Sequence, residues 1–122
     1  MRNLKAAELF GRMAENVASL ILIFQGYSIL ARRWRCNAGE IDIIARRHRR
    51  ILFIEVKYRH KLNQWYGIPQ RQQRRIMRAA ETFAKQYRIS QEFELRFDVI
   101  LIQTDPAAWP HWWRHLKNVW PG

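Results

Sequence analysis

The chain has 122 residues, 48% of them hydrophobic, and it carries 22 Lys and Arg against 10 Asp and Glu, a formal net charge of +12. The length predicts one domain with a buried core, and the charge favours a polyanion such as a nucleic acid as partner. A single cysteine, Cys36, excludes an internal disulfide or a CxxC metal site and predicts a cytoplasmic location. The longest apolar run, Leu20 to Phe24, is too short to span a bilayer, so we expect no membrane partner.

The first predicted element is a helix from about Leu4 to Gln25, which Gly26 would end as a C-terminal cap. Apolar residues at helical spacing predict one buried stripe along it. These residues are Leu9, Phe10, Met13, Val17, Leu20, Ile21 and Phe24. Glu15 lies off that stripe, and an exposed helical carboxylate is its commoner role. A first strand from Tyr27 to Arg35 and a turn through Gly39 are predicted to follow.

The next two predicted strands, Glu40 to Ala45 and Arg50 to Tyr58, are rich in Ile, Val and Phe and contain neither Gly nor Pro. The turn between them lacks the Asn-Gly or Asp-Gly pair that is typical of a two-residue loop. We therefore predict a four-residue loop from Arg47 to Arg50, centred between His48 and Arg49.

This register brings charged side chains to one side of the hairpin. Because side chains alternate along a strand, Asp42 would lie opposite Glu55, and Glu40 opposite Lys57. Two adjacent carboxylates repel each other, and Mg²⁺ relieves the repulsion by binding them. A lysine on the same face can activate a metal-bound water or neutralise charge on a phosphate. The pattern favours phosphodiester hydrolysis; a solvated ladder of cross-strand ion pairs is the second interpretation of the same spacing.

A second helix is predicted from about Pro69 to Tyr87, after a loop that contains Asn63, Trp65 and Tyr66. Opposite its apolar side runs a stripe of arginines without interleaved acids, which is either a phosphate-binding face or a solvated surface. Gln73 falls on the apolar side, where a polar amide needs a partner. The arginines of the stripe are Arg71, Arg74, Arg75 and Arg78.

A last strand is predicted from Glu94 to Gln103, and its Asp98 is either the partner of an arginine or a site residue. The order helix, three strands, helix, strand predicts an α/β fold. We predict one domain over residues 1–104 and a tryptophan-rich tail over 105–122, which packs on the domain or forms an interface such as that of a homodimer. His111 and His115 are four residues apart but lack the further ligands of a zinc site.

Three segments closely resemble the YraN-like family of uncharacterised bacterial proteins. They are Gly39-Glu40-Ile41-Asp42, the run FIEVKYR from Phe53 to Arg59, and Arg96-Phe97-Asp98-Val99, after a helix with Gly11, Glu15 and Ala18. The resemblance covers about Gly11 to Leu101. That family is similar to the PD-(D/E)XK nuclease superfamily and akin to archaeal Holliday-junction resolvases. The resemblance therefore implies a restriction-endonuclease-like αβββαβ core, with a mixed sheet flanked by helices.

The resemblance also assigns roles by position. It implies that Asp42 and Glu55 bind Mg²⁺ or Mn²⁺ and that Lys57 activates water or stabilises the transition state. It adds Glu15 as a further acid from the first helix and Gln73 as a helical glutamine that faces the site. Gln72 stands where many relatives carry lysine, and the family pattern does not explain the tryptophan-rich tail.

Residues and resemblance together predict a metal-dependent endonuclease that acts on DNA, with branched recombination or repair intermediates as candidate substrates. The nucleic acid would contact Arg59 and the arginine stripe of the second helix. Two alternatives stay open at this point. One is a nucleic-acid-binding module that keeps the fold without cutting, and the other is a basic protein that binds structured RNA.

Overall fold

A computed structural model describes residues 4–60 and 67–120 of the chain. The elements are α1 (Leu4–Phe24), β1 (Ser28–Cys36), β2 (Gly39–Arg47), β3 (Arg50–Arg59), α2 (Gln70–Gln86), β4 (Glu94–Gln103), a 3₁₀ turn (Pro106–Ala108) and β5 (Trp113–Leu116). The predicted αβββαβ order is confirmed, and the tail adds one more strand. The predicted loop residues Asn63, Trp65 and Tyr66 lie outside the described residues.

The five strands form one mixed sheet in the order β1-β2-β3-β4-β5. The first three make an antiparallel meander, β3 and β4 are parallel, and β5 runs antiparallel to β4. A parallel pair needs a long crossover, and here α2 provides it. The two helices cover opposite faces of the sheet, as the two core clusters below show, so the predicted α/β fold with a flanked mixed sheet is confirmed.

Alternation along β3 divides the core into two clusters. Phe53 packs with Ile76 and Phe83 of α2 on one face of the sheet. Its neighbours Leu52 and Ile54 pack on the other face, in the cluster that includes α1. Because successive side chains of a strand point to opposite faces, one continuous apolar run supplies both layers.

The buried face of α1 differs from the predicted stripe. The residues that pack against the sheet are Ala14, Ala18 and Leu22, while Leu20 is 56% exposed and Phe24 is 89% exposed. Two small alanines let the helix approach the sheet closely, so the bulkier side chains of the predicted stripe project outward; only Val17 and Ile21 of that stripe pack partly against the core. Although α1 is apolar on both sides, no helix within residues 4–60 and 67–120 has the length and hydropathy needed to cross a membrane.

The β2–β3 turn is shorter than predicted. Arg47 pairs directly with Arg50, so the connection is the two residues His48 and Arg49 and the predicted four-residue loop is wrong. His48 adopts the left-handed backbone conformation, with φ of 53°, which in a two-residue turn is usually adopted by glycine. The Arg46 guanidinium donates a hydrogen bond of 2.9 Å to the His48 carbonyl and so holds the turn. The predicted centre of the turn is confirmed, and so is the predicted register as far as the pair Ile43 and Ile54.

Gly26 ends α1 as predicted. Its φ is 93°, which a glycine adopts without steric cost. The backbone N–H of Tyr27 donates to the Leu22 carbonyl at 3.0 Å, and that of Gly26 donates to the Ile23 carbonyl at 2.9 Å. This is the hydrogen-bond pattern of a Schellman cap, and it turns the chain directly into β1.

Candidate active site

The candidate site lies where the β2–β3 ladder ends. Paired residues run from the turn as far as Ile43 and Ile54. One residue further, the Oδ2 atom of Asp42 accepts a hydrogen bond of 2.8 Å from the backbone N–H of Val56. The Asp42 carboxylate thus accepts the hydrogen bond that a backbone carbonyl of β2 would otherwise accept. This bond holds the Asp42 carboxylate beside Glu55.

Strict alternation of side chains fails next to the site. Ile41 and Ile44 belong to the same apolar cluster although they are three residues apart in β2. On the neighbouring strand, Arg33 has a φ of 52°, a conformation that costs a non-glycine residue about 1 kcal/mol or more. The irregularity lies beside Asp42, which lines the cavity together with Glu55. The predicted grouping of the acids is right, but the regular alternation used to predict it does not hold at this end of β2.

A cavity of about 210 Å³ opens between the start of β2, the middle of β3 and the first turns of α2. Its polar lining includes Glu40, Asp42, Glu55, Gln72 and Arg75. At about 30 Å³ per water, the volume equals about seven water molecules. The cavity therefore has room for a hydrated ion rather than for a large organic cofactor.

Burial makes the two central acids hard to ionise together. It raises the pKa of Asp42, against the opposing hydrogen bond from Val56. Burial and then the charge of Asp42 raise the pKa of Glu55 to about 9. In the absence of a cation, the raised pKa of Glu55 favours its protonated form beside Asp42. A bound cation would take the place of that proton.

Two further side chains converge on Glu55. The Nζ atom of Lys57 lies 3.7 Å from Glu55 Oε1. The Nε2 atom of Gln72 donates to the same oxygen at 3.2 Å. Lys57 therefore lies where the sequence predicted it, on the same side of the hairpin as the acids.

Gln72, rather than the predicted Gln73, contacts the site. Gln73 donates its amide N–H to the carbonyl of Ile68 at 2.8 Å, just before the helix begins. Proline at position 69 provides no side-chain cap, so the amide of Gln73 is used to hold the helix start. The sequence identifies Gln72 only by its difference from the family's lysine, and no local pattern indicates which of the two neighbouring glutamines contacts Glu55.

Glu15 lies near the site but is already paired. Its Oε1 atom is 2.8 Å from Arg33 Nε and 3.9 Å from Arg32 Nη2. The charge of Glu15 is close enough to contribute to the raised pKa of Asp42. Within residues 4–60 and 67–120, no group of three or more His, Cys, Asp or Glu side chains could hold one ion. A metal here would have Asp42, Glu55 and water as ligands, which is the usual environment of Mg²⁺.

The predicted arginine stripe is exposed along α2. Arg75 lines the cavity itself, and the stripe from Arg71 to Arg78 extends about 10 Å along the helix at 1.5 Å per residue. Arg59 ends β3 and donates a 2.7 Å hydrogen bond to the Tyr58 carbonyl. Arg75 therefore borders the cavity, and the other three arginines of the stripe are exposed along the same helix.

Asp98 is a structural residue that lies outside this cavity. It is fully buried and receives two hydrogen bonds of 3.0 Å from Arg96, one of 2.8 Å from the Asn118 backbone N–H, and a 2.7 Å contact from His115 Nε2. Burial alone would raise the pKa of Asp98, but the bonds from His115, Arg96 and Asn118 hold it below its usual value. The structure thus decides between the two predicted roles in favour of the arginine partner.

Residues 14–102 match the Uncharacterised protein family UPF0102. The chain is 46% identical over 112 residues to a UPF0102 protein of a Bradyrhizobium species, covering 91% of this chain and 79% of that protein. It is 45% identical over 112 residues to one of Rhodopseudomonas palustris, with the same coverage of 91% and 79%. It is 41% identical over 116 residues to one of Parvibaculum lavamentivorans, covering 94% and 84%. The family match includes every side chain of the cavity described above.

Proposed function

The chain belongs to the uncharacterised protein family UPF0102, and from the geometry of its site we propose that it is a metal-dependent nuclease that hydrolyses DNA phosphodiester bonds. The observation that carries the proposal is the pair of buried acids, Asp42 and Glu55, with Lys57 beside them. Burial makes it unfavourable for both acids to be ionised at once, so the pair lowers the stability of the fold. Pairs of this kind are found mainly at functional sites. We place the protein in the cytoplasm, where its single cysteine stays reduced.

The side chains present fit a hard divalent cation. Asp42 and Glu55 offer carboxylate oxygens, which Mg²⁺ and Mn²⁺ prefer. Such an ion, when bound, supplies a Lewis acid for the phosphate and lowers the pKa of a coordinated water. The Val56 N–H orients Asp42, and the Gln72 amide orients Glu55 after its proton has left.

Within residues 4–60 and 67–120, Lys57 is the cation that forms an ion pair with Glu55, at 3.7 Å. Only 20% of its side chain is exposed, so its charge is weakly screened by solvent. In this position the ammonium group can orient the attacking water and stabilise the negative charge that develops on the phosphate oxygens. Arg75 lines the cavity that contains Asp42 and Glu55 and can neutralise a phosphate of the bound strand.

We expect cleavage of labelled DNA with Mg²⁺ or Mn²⁺, none with EDTA, and a loss of at least about 100-fold in Lys57→Ala. The substrates to compare are single-stranded, duplex, flapped and four-way-junction DNA. Lys117→Ala removes the same charge from an exposed position near the C-terminus and should cleave like the wild type. Equal cleavage by Lys57→Ala and the wild type would contradict the role given to Lys57.

A nucleic-acid-binding module without catalysis is the second candidate function, because exposed arginines bind phosphates without any metal. We expect Arg71→Gln with Arg75→Gln to weaken DNA binding in EDTA and to reduce the slope of log K against log salt by about 1 per lost phosphate contact. Arg47→Gln with Arg49→Gln, at the β2–β3 turn, makes the same change in net charge at the other end of the hairpin and should affect the slope less. Binding that follows this pattern, without cleavage of any substrate in Mg²⁺ or Mn²⁺, would favour the module; tighter binding of structured RNA would favour RNA as its ligand.

A further inference from the structure

A groove of about 580 Å³ lies between α2 and β4. Its apolar lining includes Met77, Ala80, Leu95 and Phe97. The volume lies within the range of roughly 300–1,000 Å³ of small-molecule sites. We infer that this groove holds an unpaired nucleobase of the strand that is cut at the candidate active site, an inference that rests on the proposed nuclease function.

The groove exists because small side chains of α2 face large ones of β4. Phe97 is buried and stacks on Phe53, whereas Leu95, two residues earlier, is 40% exposed. Ala80 and Ala84 face them from the helix and leave the space between unfilled. Phe97 already stacks with both Phe53 and Trp120, so a base would lie against the more exposed Leu95 and Met77 rather than on the aromatic ring.

The positive charge at the rim of the groove favours a ligand that combines an anionic group with an apolar part. Arg74, Arg78 and Lys85 border the groove, and Glu81 is the one acid among its lining residues. A nucleotide combines an apolar base with a phosphate and so matches both parts. Glu81 can also accept a hydrogen bond from an exocyclic amino group, such as that of cytosine. A second copy of the chain is a poor occupant, because it carries the same net charge of +12.

The groove and the active-site cavity lie along the same helix. Gln72 contacts Glu55, and Ala80 lies eight residues further, a rise of about 12 Å along the helix axis at 1.5 Å per residue. At about 3.4 Å per nucleotide of B-form strand, a base in the groove would therefore lie at least three or four nucleotides from the bond that is cut. A base can enter the groove only when it has left the helical stack. The groove therefore favours flapped, branched or single-stranded DNA over intact duplex.

Methionine methyl NMR tests this site without any cleavage. The chain has three methionines: Met77 in the groove, Met13 on the exposed side of α1, and Met1. With ¹³C-methyl-methionine protein in EDTA, we expect dCMP and dAMP to shift the Met77 signal and to leave Met13 unchanged. Deoxyribose 5-phosphate, which lacks the base, should shift Met77 much less.

Two variants locate the binding. Leu95→Glu should weaken dCMP binding at least 10-fold, while Leu20→Glu, the same change at an exposed leucine of α1, should not alter it. Arg74→Gln changes only an exposed side chain, so it keeps the test valid if Leu95→Glu does not fold; it should weaken dCMP binding several-fold.

The outcomes separate this inference from the nuclease proposal. An unmoved Met77 signal, or equal shifts with deoxyribose 5-phosphate, would overturn the base site whether or not the protein cleaves DNA. Stronger shifts with decanoate than with dCMP would overturn it in favour of a lipid chain. A base-dependent Met77 shift in a protein that cuts no DNA would support the base site and count against the nuclease.

Discussion

Asp42→Asn is expected to abolish metal-dependent cleavage and to leave the metal-free protein at least as stable as the wild type. The amide oxygen can still accept the hydrogen bond from Val56, so the local geometry is kept. The substitution removes the negative charge that helps to raise the pKa of Glu55, and with it the repulsion between the two acids. It also removes one of the two charged ligands that a divalent cation would have.

The measurement is thermal unfolding and cleavage, each with Mg²⁺ and with EDTA. Ligand binding at 100 times its Kd stabilises a protein by about 2.7 kcal/mol, which the wild type should gain from Mg²⁺ and Asp42→Asn should not. Cleavage by the variant should fall at least about 100-fold. Glu40→Gln is the matched control: Glu40 lines the same cavity, but its carboxylate is 2.6 Å from Arg35 Nε. If Asp42→Asn keeps both the Mg²⁺ stabilisation and the cleavage, Asp42 is not a ligand.

The hairpin that carries the site was predictable because its two strands contain a strong local signal. Apolar runs without Gly or Pro define β2 and β3, and the centre of the turn fixes which residues face each other. That register extends to Ile43 and Ile54, so Asp42 and Glu55 follow directly after the last paired residues. What local patterns do not contain is the irregularity at Arg33 and Asp42, which depends on two adjacent strands at once.

The features that sequence reasoning missed depend on contacts between distant parts of the chain. Hydrophobic periodicity favours the bulky stripe of α1, yet the helix packs through Ala14 and Ala18, because close approach to the sheet requires small residues. The strand β5 is four residues long and carries no alternating pattern of its own. Its place at the sheet edge becomes understandable only from its partner β4 and from the contact of His115 with Asp98.

Asp98→Asn is expected to lower the free energy of unfolding by about 3–5 kcal/mol, more than the other substitutions proposed above. The reason is that removing one member of a buried charged network leaves the other members unpaired. Each carboxylate oxygen of Asp98 accepts a hydrogen bond from Arg96. An amide replaces one of those oxygens with an NH₂ group, which then faces a donor of the arginine. The loss is large against the 5–15 kcal/mol that stabilises a typical domain. It should also loosen β5, which His115 ties to Asp98.

Urea unfolding followed over a range of pH measures this contribution and its sign. The pKa of Asp98 is lowered by folding, so its contribution is complete above the unfolded value of about 3.9 and is lost as the pH falls through the lower folded value. The part of the difference between wild type and Asp98→Asn that comes from the titration of Asp98 should therefore shrink as the pH falls below about 3.9. Glu92→Gln makes the same chemical change in an exposed ion pair with Arg49, and it should alter stability by less than about 1 kcal/mol. A difference for Asp98→Asn as small as that of Glu92→Gln would mean that the network around Asp98 does not hold β5 to the sheet.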